Sequence, residues 1–323
     1  MGCAAILAQR HVAGESDSRM NEPLVRTDTT LLFRSIRAAR SWLRTSAAGD
    51  GASAVGGCIP IKPGNGETPV FMIPGATGSI LQLGPIAAAM QTPAPVYAIR
   101  PRGMAEPELP FDHLAEIADY AIDQMRIVQP QGPYVLAGYS AGGLVALEMA
   151  QQLTAAGHQV PLVVLLDTYP SRAVWPLACH LDILARQAVN AIWSLCKCTP
   201  RQLTQEVTRR LRSLFQYLTA SGLKLAEPPS LVAEGTDAAS RRVHVATYNA
   251  GNAYRPRPYG GKVVFIQPEE TPGLEPRKPR QIWGRFLSDL EIRRVPGSHL
   301  KMVEEAAATA AEIDQSIAGV LGP

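Results

Sequence analysis

Short apolar runs alternate with amphipathic stretches from about residue 69 to the end of the chain. Continuous runs of Val, Ile and Leu between turn residues predict strands, and stretches with a 3.6-residue period predict helices. The predicted strands are Val70–Ile73, Val96–Ile99, Tyr134–Ala137, Leu162–Leu166, Val263–Ile266 and Leu290–Val295. The predicted helices are Ile80–Met90, Leu114–Val128, Ala141–Ala156 and Met302–Val320. This alternation is typical of an α/β fold with a mostly parallel sheet covered by helices on both faces.

The alternation stops between Pro170 and about Ala246, where only helical periodicity is visible. Two apolar faces repeat at spacings of three and four residues. One face is formed by Leu181, Leu184, Ala188 and Ile192, and the other by Val207, Leu211, Leu214, Phe215 and Leu218. We therefore expect an all-helical insert at about residues 171–245, placed as a lid over the sheet.

Residues 1–60 lack the alternation of apolar runs and amphipathic stretches seen in the rest of the chain, and we expect a partly disordered extension there. Within it, Leu31 to Arg44 carries four arginines on one face, which predicts a basic amphipathic helix. Thr45 to Gly57 is rich in Ala, Gly and Ser, as flexible linkers are. We place the boundary of the main domain, residues 61–323, at about residue 60.

Composition and charge narrow the class of protein. The 323 residues are 46% hydrophobic and 18% charged, which argues for a folded core and against disorder. The net charge of +3 is too small for a nucleic-acid partner. Five scattered cysteines form no disulfide or zinc pattern, and no run suits a transmembrane helix. We expect reduced thiols, a cytoplasmic location and a monomer.

The motif that carries chemistry is Gly138-Tyr-Ser-Ala-Gly142, with a predicted strand before it and a predicted helix after it. This context is that of a nucleophile elbow, in which Ser140 stands on a tight turn at the carboxyl end of a strand. In an oxyanion hole, one backbone N–H follows the nucleophile and the other comes from the loop after the first strand. We assign these donors to Ala141 and, in the loop Ile73 to Gly78, to Ala76.

A serine nucleophile requires a base and an acid. Of six histidines only His299 follows the last strand, as the order Ser, acid, His of α/β-hydrolases demands. The acid has two candidates: Asp167 ends the strand after the elbow helix, and Glu269-Glu270 end the next strand. An Asp at the end of a fully apolar strand is costly unless it is paired, which favours Asp167.

Together these residues resemble the α/β-hydrolase thioesterases of nonribosomal peptide and polyketide synthesis. The resemblance covers about residues 66 to 320. It rests on the ordered set Pro69-Val-Phe-Met-Ile-Pro-Gly-Ala-Thr-Gly, Gly132-Pro-Tyr-Val-Leu-Ala-Gly-Tyr-Ser-Ala-Gly-Gly with Glu148-Met-Ala, Leu165-Leu-Asp-Thr-Tyr, Tyr259-Gly-Gly-Lys-Val-Val-Phe and Pro296-Gly-Ser-His-Leu. Two departures are Ser298, where the family often has Asp, and the absence of His-x-x-Gly-Gly in the first loop.

The resemblance implies a triad of Ser140, Asp167 and His299 and a mobile lid that shapes an acyl or peptidyl pocket. The implied reaction releases an acyl, polyketide or peptidyl chain from phosphopantetheine, by hydrolysis or by capture with an internal nucleophile. No metal or cofactor is expected beyond the phosphopantetheine that presents the substrate. A generic carboxylester hydrolase or lipase, or an acyltransferase on the same fold, is the alternative.

The implied partner is an acyl or peptidyl carrier protein or a synthase acting in trans. Residues 171–245 hold ten basic and five acidic residues, so the insert is more positive than the whole chain. A basic insert is suited to steering an acidic carrier, although a solvated helix face would explain the same charges.

Overall fold

The computed structural model describes residues 56–66, 68–104, 107–197, 208, 237–271 and 276–321. Seven strands of these residues form one sheet in the order β1-β3-β2-β4-β5-β6-β7. They are β1 (Cys58–Lys62), β2 (Val70–Ile73), β3 (Val96–Ile99), β4 (Val135–Tyr139), β5 (Leu162–Leu166), β6 (Tyr259–Pro268) and β7 (Leu287–Val295). Strand β1 pairs antiparallel with β3, and every other neighbouring pair is parallel.

Helices cover both faces of this sheet. They are α1 (Gly84–Ala89), α2 (Leu114–Val128), α3 (Ala141–Ala155), α4 (Leu177–Lys197), α5 (Ala238–Ala253), α6 (Pro279–Trp283), α7 (Lys301–Glu304) and α8 (Ala307–Leu321). Short 3₁₀ helices occupy Ile80–Leu83 and Arg172–Val174. The predicted mostly parallel sheet between helices is therefore confirmed.

The core has two halves because successive strand residues point to opposite faces. Phe71 and Leu136 pack with α2 and α3 on one face, whereas Met72 and Ala137 pack with α1 and α8 on the other. Strands β2, β4 and β5 are buried along their whole length, which explains their unbroken apolar sequences. Both halves fix the strand ends from which the functional loops emerge.

Several element boundaries differ from the sequence prediction. Strand β1 was not predicted, and the expected domain boundary at residue 60 falls inside it. The predicted helix Ile80–Met90 is a 3₁₀ turn followed by α1, with a proline at the start of α1. The predicted helix Met302–Val320 is divided into α7 and α8, and the Thr309 hydroxyl donates to the Met302 carbonyl across the break at 2.7 Å.

Within the expected insert, the described residues form the 3₁₀ helix Arg172–Val174, helix α4 and the first half of α5, and no strand is found among them. Helix α5 begins at an Asp237 cap, whose carboxylate accepts from the Ser240 amide at 2.9 Å. In α4, however, Leu181 and Ile192 of the predicted apolar face are 57% and 62% exposed, while Ile183 is fully buried. The second predicted face, and the N-terminal helix Leu31 to Arg44, lie outside the described residues.

Candidate active site

Ser140 stands between β4 and α3 in a conformation that few L-residues adopt. Its φ is 54° and its ψ is −123°, and its side chain is partly exposed. A non-glycine residue held there costs on the order of 1–3 kcal/mol, which the surrounding contacts must offset. The backbone therefore projects the Ser140 hydroxyl from the carboxyl edge of the sheet, where the elbow motif predicts it.

Two glycines after Ser140 allow α3 to approach its neighbours closely. A Cβ atom on Gly142 would overlap the Pro74 carbonyl oxygen and lie 2.5 Å from the Ile73 oxygen. A Cβ atom on Gly143 would lie 2.8 Å from the Thr168 Cβ. Such distances exclude any side chain, so these glycines bring the start of α3 against the ends of β2 and β5.

Hydrogen bonds fix the main chain of the elbow on both sides of Ser140. The Ser140 amide donates to the Leu166 carbonyl at 2.9 Å. The Ser140 carbonyl accepts from the Thr168 hydroxyl at 2.9 Å and from the Gly143 amide at 3.1 Å. Thr168 is fully buried, and its own carbonyl accepts from the Trp283 indole at 2.8 Å. A buried chain of contacts from α6 thus supports the elbow.

Asp167 and His299 lie together at the same edge of the sheet. The imidazole Nδ1 of His299 is 2.7 Å from the Asp167 Oδ2. Asp167 is 5% exposed and its φ is 44°. Its second carboxylate oxygen is buried and has no hydrogen-bond partner among the described residues. A buried carboxylate accepts the Nδ1–H of a neutral imidazole and leaves Nε2 as an acceptor, because the proton is fixed on the nitrogen that faces the acid.

The alternative acids, Glu269 and Glu270, serve a different purpose in the structure. Their side chains are exposed, and their amides donate to the Val295 and Gly297 carbonyls at 2.9 Å. These bonds hold the loop that carries His299. The structure therefore pairs His299 with Asp167 and gives the two glutamates a backbone role beside it.

Tyr139, the residue before Ser140, contacts His299 in two ways. Its ring lies over the imidazole, with centroids 4.8 Å apart and planes inclined by 23°. Its hydroxyl donates to the His299 main-chain carbonyl at 2.9 Å. Ser140 and His299 are thus brought to one place, although no hydrogen bond joins their side chains in the described structure; such bonds often tighten only when substrate is bound.

The expected oxyanion donors lie on either side of the elbow. Ala141 is the first residue of α3, where an amide has no partner within the helix. Ala76 lies in a turn that the Gly78 amide closes on the Gly75 carbonyl at 2.9 Å, and a Cβ atom on Gly75 would be 3.5 Å from the Ser140 Cβ. Both alanines are partly exposed beside the serine. Their placement suits two backbone donors that converge on one oxygen.

Potential metal ligands gather at one place among the described residues. Asp112, His113 and Glu116 are mutually close, and all three are exposed. Exposed acidic groups of this kind are common on protein surfaces, and nothing in their surroundings indicates an ion.

Among the helices that the structure describes, none has the length and the apolar sequence that a membrane span requires.

Three residues near the site were missed by sequence reasoning. Tyr139 precedes Ser140 and Thr168 follows Asp167, so their positions beside candidate site residues could have indicated a role. Trp283 had no such signal, because it lies in a short helix far along the chain. Its role follows only from the fold that brings α6 beneath residue 168.

The sheet, the elbow and the Asp167–His299 pair define the class of protein as an α/β-hydrolase. The family model "Thioesterase domain" matches residues 68–317, which is most of the chain. The chain therefore belongs to the thioesterase domain family. In sequence it is similar to nonribosomal peptide synthetases, in agreement with the resemblance described above.

Curated relatives are much longer proteins. The dimodular nonribosomal peptide synthase of Bacillus subtilis (strain 168) is 30% identical over 71% of this chain and 9% of its own length. The nonribosomal peptide synthetase btyA of Aspergillus terreus is 32% identical over 48% of this chain and 19% of its own length. The chain thus spans about a fifth or less of these relatives.

Solved structures share the fold at low identity. The NocB thioesterase domain, solved with a fluorophosphonate nocardicin G analog, is 23% identical, with a TM-score of 0.53 over 80% of this chain and 96% of its own. The type II thioesterase BorB from the borrelidin biosynthetic cluster is 17% identical, with a TM-score of 0.55 over 83% of this chain and 100% of its own. These likenesses agree with the fold described above.

The strained conformation of Ser140 predicts an unusual order of stabilities. Ser140→Gly should be more stable than Ser140→Ala by about 1–2 kcal/mol, because glycine relieves the positive φ. Urea unfolding of the two variants measures the difference. Ser316 in α8 is the control: there Ala should be the more stable by about 1 kcal/mol, as in any helix interior. Equal stabilities at position 140 would contradict the assigned strain.

The Thr168 hydroxyl predicts a second effect. Thr168→Val keeps the shape of the side chain but removes the donor to the Ser140 carbonyl, which should lower the free energy of unfolding by about 1–2 kcal/mol. It should also slow the labelling of Ser140 by a fluorophosphonate. Thr168→Ser keeps the hydroxyl and is the matched control. A valine variant that matches the native protein in both measurements would rule out this support.

Proposed function

We propose that the chain is a serine thioesterase that forms an acyl-enzyme on Ser140 and uses Asp167 and His299 as its acid and base. The observation that carries the proposal is the buried Asp167 carboxylate at 2.7 Å from the His299 Nδ1, beside a serine on a strained elbow. Membership of the thioesterase domain family supports the thioester as the bond that is cleaved.

In the first half of the reaction, His299 Nε2 accepts the proton of the Ser140 hydroxyl as the serine oxygen attacks the thioester carbonyl. Asp167 holds the imidazole in the required tautomer and stabilises its positive charge. The tetrahedral intermediate collapses with cleavage of the C–S bond, and the imidazolium returns the proton to the departing thiolate. The acyl group is then carried by Ser140 as an oxygen ester.

In the second half, water or a nucleophile of the acyl chain itself attacks the ester. His299 now accepts the proton of the attacking group and returns it to the Ser140 oxygen. Hydrolysis releases an acid, and internal capture releases a ring. Both routes use the same residues, so the insert, as the expected lid, would select between them by admitting or excluding water.

The negative oxygen of each intermediate would be stabilised by the amides of Ala76 and Ala141. The N-terminus of α3 adds its positive dipole end at the same point. Loss of one such donor typically costs about 3–4 kcal/mol in the barrier. These groups, with the triad, account for acyl transfer with no metal or cofactor in the proposal.

The proposed substrate is an acyl, polyketide or peptidyl chain on the phosphopantetheine arm of a carrier protein. The relatives are nonribosomal peptide synthetases, which supports a carrier protein as the partner. The carrier would be a separate protein or part of a synthase. The excess of basic residues in the insert suits an acidic carrier. Arg209 and Arg210, whose charge reversal would test docking, lie outside the described residues.

The roles in the triad predict a graded loss of activity. Ser140→Ala should abolish fluorophosphonate labelling and remove turnover of an acyl-pantetheine thioester by several orders of magnitude. Asp167→Asn should lower kcat by about 10⁴, because the amide stabilises the wrong tautomer. Glu269→Gln and Glu270→Gln are matched controls and should keep full activity. Full activity in Ser140→Ala, or a large loss in a glutamate variant alone, would refute these assignments.

The substrate class predicts a preference that separates the proposal from a generic esterase. A panel of acyl-pantetheine thioesters and oxygen esters with the same acyl groups should show higher kcat/KM for the thioesters. Mass spectrometry of the products distinguishes hydrolysis from cyclisation and from transfer to an added acceptor. A consistent preference for the oxygen esters would favour a carboxylester hydrolase or lipase instead.

A further inference from the structure

The geometry points to Tyr139 as the residue that positions His299, and this inference rests on the proposed function. Tyr139 ends β4 and is only 4% exposed. It offers its ring to the imidazole and its hydroxyl to the main chain of the same histidine. The mechanism above assigns no step to this residue, so its two contacts with the base need an explanation.

The ring contact supplies an orientation that Asp167 alone does not. One hydrogen bond at Nδ1 leaves the imidazole free to rotate about the line between the two atoms. A tyrosine ring lying nearly parallel at 4.8 Å fixes the plane of the imidazole and with it the direction of Nε2. The Asp167 carboxylate therefore fixes the position of the His299 Nδ1, and Tyr139 fixes the plane of the imidazole.

The hydroxyl contact holds the loop that carries the base. The turn at His299 follows β7, an edge strand, and Leu300 beside it is 49% exposed. Glu269 and Glu270 hold this turn from β6 through the Val295 and Gly297 carbonyls. The Tyr139 hydroxyl holds the His299 carbonyl from β4, on the side of the elbow. The turn after β7 is therefore held by hydrogen bonds from β4 and from the residues that follow β6.

The position of Tyr139 in the chain couples the base to the nucleophile. Because it precedes Ser140, any movement of the elbow moves the surface on which the imidazole rests. An aromatic face also attracts an imidazolium more strongly than a neutral imidazole, because the positive charge then lies against the ring. That charge appears when His299 takes the serine proton, so the contact is stronger in the transition state than before it.

The test separates the ring from the hydroxyl. Tyr139→Phe keeps the ring and should lower kcat about fivefold, the effect of one lost hydrogen bond. Tyr139→Leu removes both contacts and should lower kcat about a hundredfold, the effect of a base displaced by roughly 1 Å. KM for an acyl-pantetheine thioester should stay the same in both, because Tyr139 acts through His299 and leaves substrate binding intact.

A second readout distinguishes positioning from general loosening of the fold. Tyr139→Trp restores a ring beside the imidazole, and it should recover most of the kcat that Tyr139→Leu loses. If the leucine variant does not fold, Tyr139→Met replaces it, since methionine fills the same space without a ring.

Tyr134→Phe is the matched control in the same segment. Tyr134 is fully buried, its hydroxyl donates to the Gln129 and Pro130 carbonyls at 3.2 and 3.1 Å, and its ring contacts His158. Its loss of a buried hydroxyl should lower the melting temperature but leave kcat unchanged.

The outcomes are decisive in either direction. A leucine or methionine variant with native kcat, or a tryptophan variant as slow as the leucine variant, overturns the role of Tyr139, while an inactive Ser140→Ala leaves the proposed function standing. An equal fall in kcat for Tyr134→Phe and Tyr139→Phe also overturns it. Full activity in Ser140→Ala would instead remove the proposed function, and with it the role of Tyr139.

Discussion

The site depends on one constraint: Ser140 is held with φ at 54° where the chain turns from β4 into α3. That conformation is unfavourable for a residue with a side chain, so it persists only because its surroundings allow no other. Gly142 and Gly143 let backbone and Thr168 pack directly against the turn. Hydrogen bonds to both the amide and the carbonyl of Ser140 then complete the restraint.

Residues that are next to Ser140 and Asp167 in the sequence make contacts that support other residues of the site. Tyr139, beside Ser140, contacts the ring and carbonyl of His299. Thr168, beside Asp167, donates to the carbonyl of Ser140. The ends of β4 and β5 therefore each carry one proposed catalytic residue and one residue that supports a different segment of the site. Since strands β4, β5 and β7 are fixed in one sheet, small shifts of any loop are resisted by the others.

Much of this arrangement follows from the sequence because it depends on local patterns. The unbroken apolar runs of β4 and β5 predict buried parallel strands, and glycines around Ser140 predict the elbow. Each of Ser140, Asp167 and His299 follows the carboxyl end of a predicted strand. Because parallel strands end at the same edge of a sheet, that order along the chain predicts that the three residues meet there.

What the sequence did not predict depends on contacts between distant segments. Strand β1 is short, contains Pro60 and lies at an edge, so its pattern differs little from that of a loop. The apolar stripe of α4 is visible in the sequence, but periodicity does not say which side of the helix meets the core. The support of Thr168 by Trp283 joins residues 115 positions apart, and no local signal marks such a pair.

The insert has a topological consequence of its own. Strands β5 and β6 are direct neighbours, and the chain between residues 167 and 258 is one crossover connection between them. A dozen residues suffice for such a connection, so its extra length leaves the strand register untouched. A segment that would select a substrate can therefore change in length or sequence without moving the residues that would cleave the thioester bond. Substrate selection and bond cleavage would then depend on separate parts of a single chain.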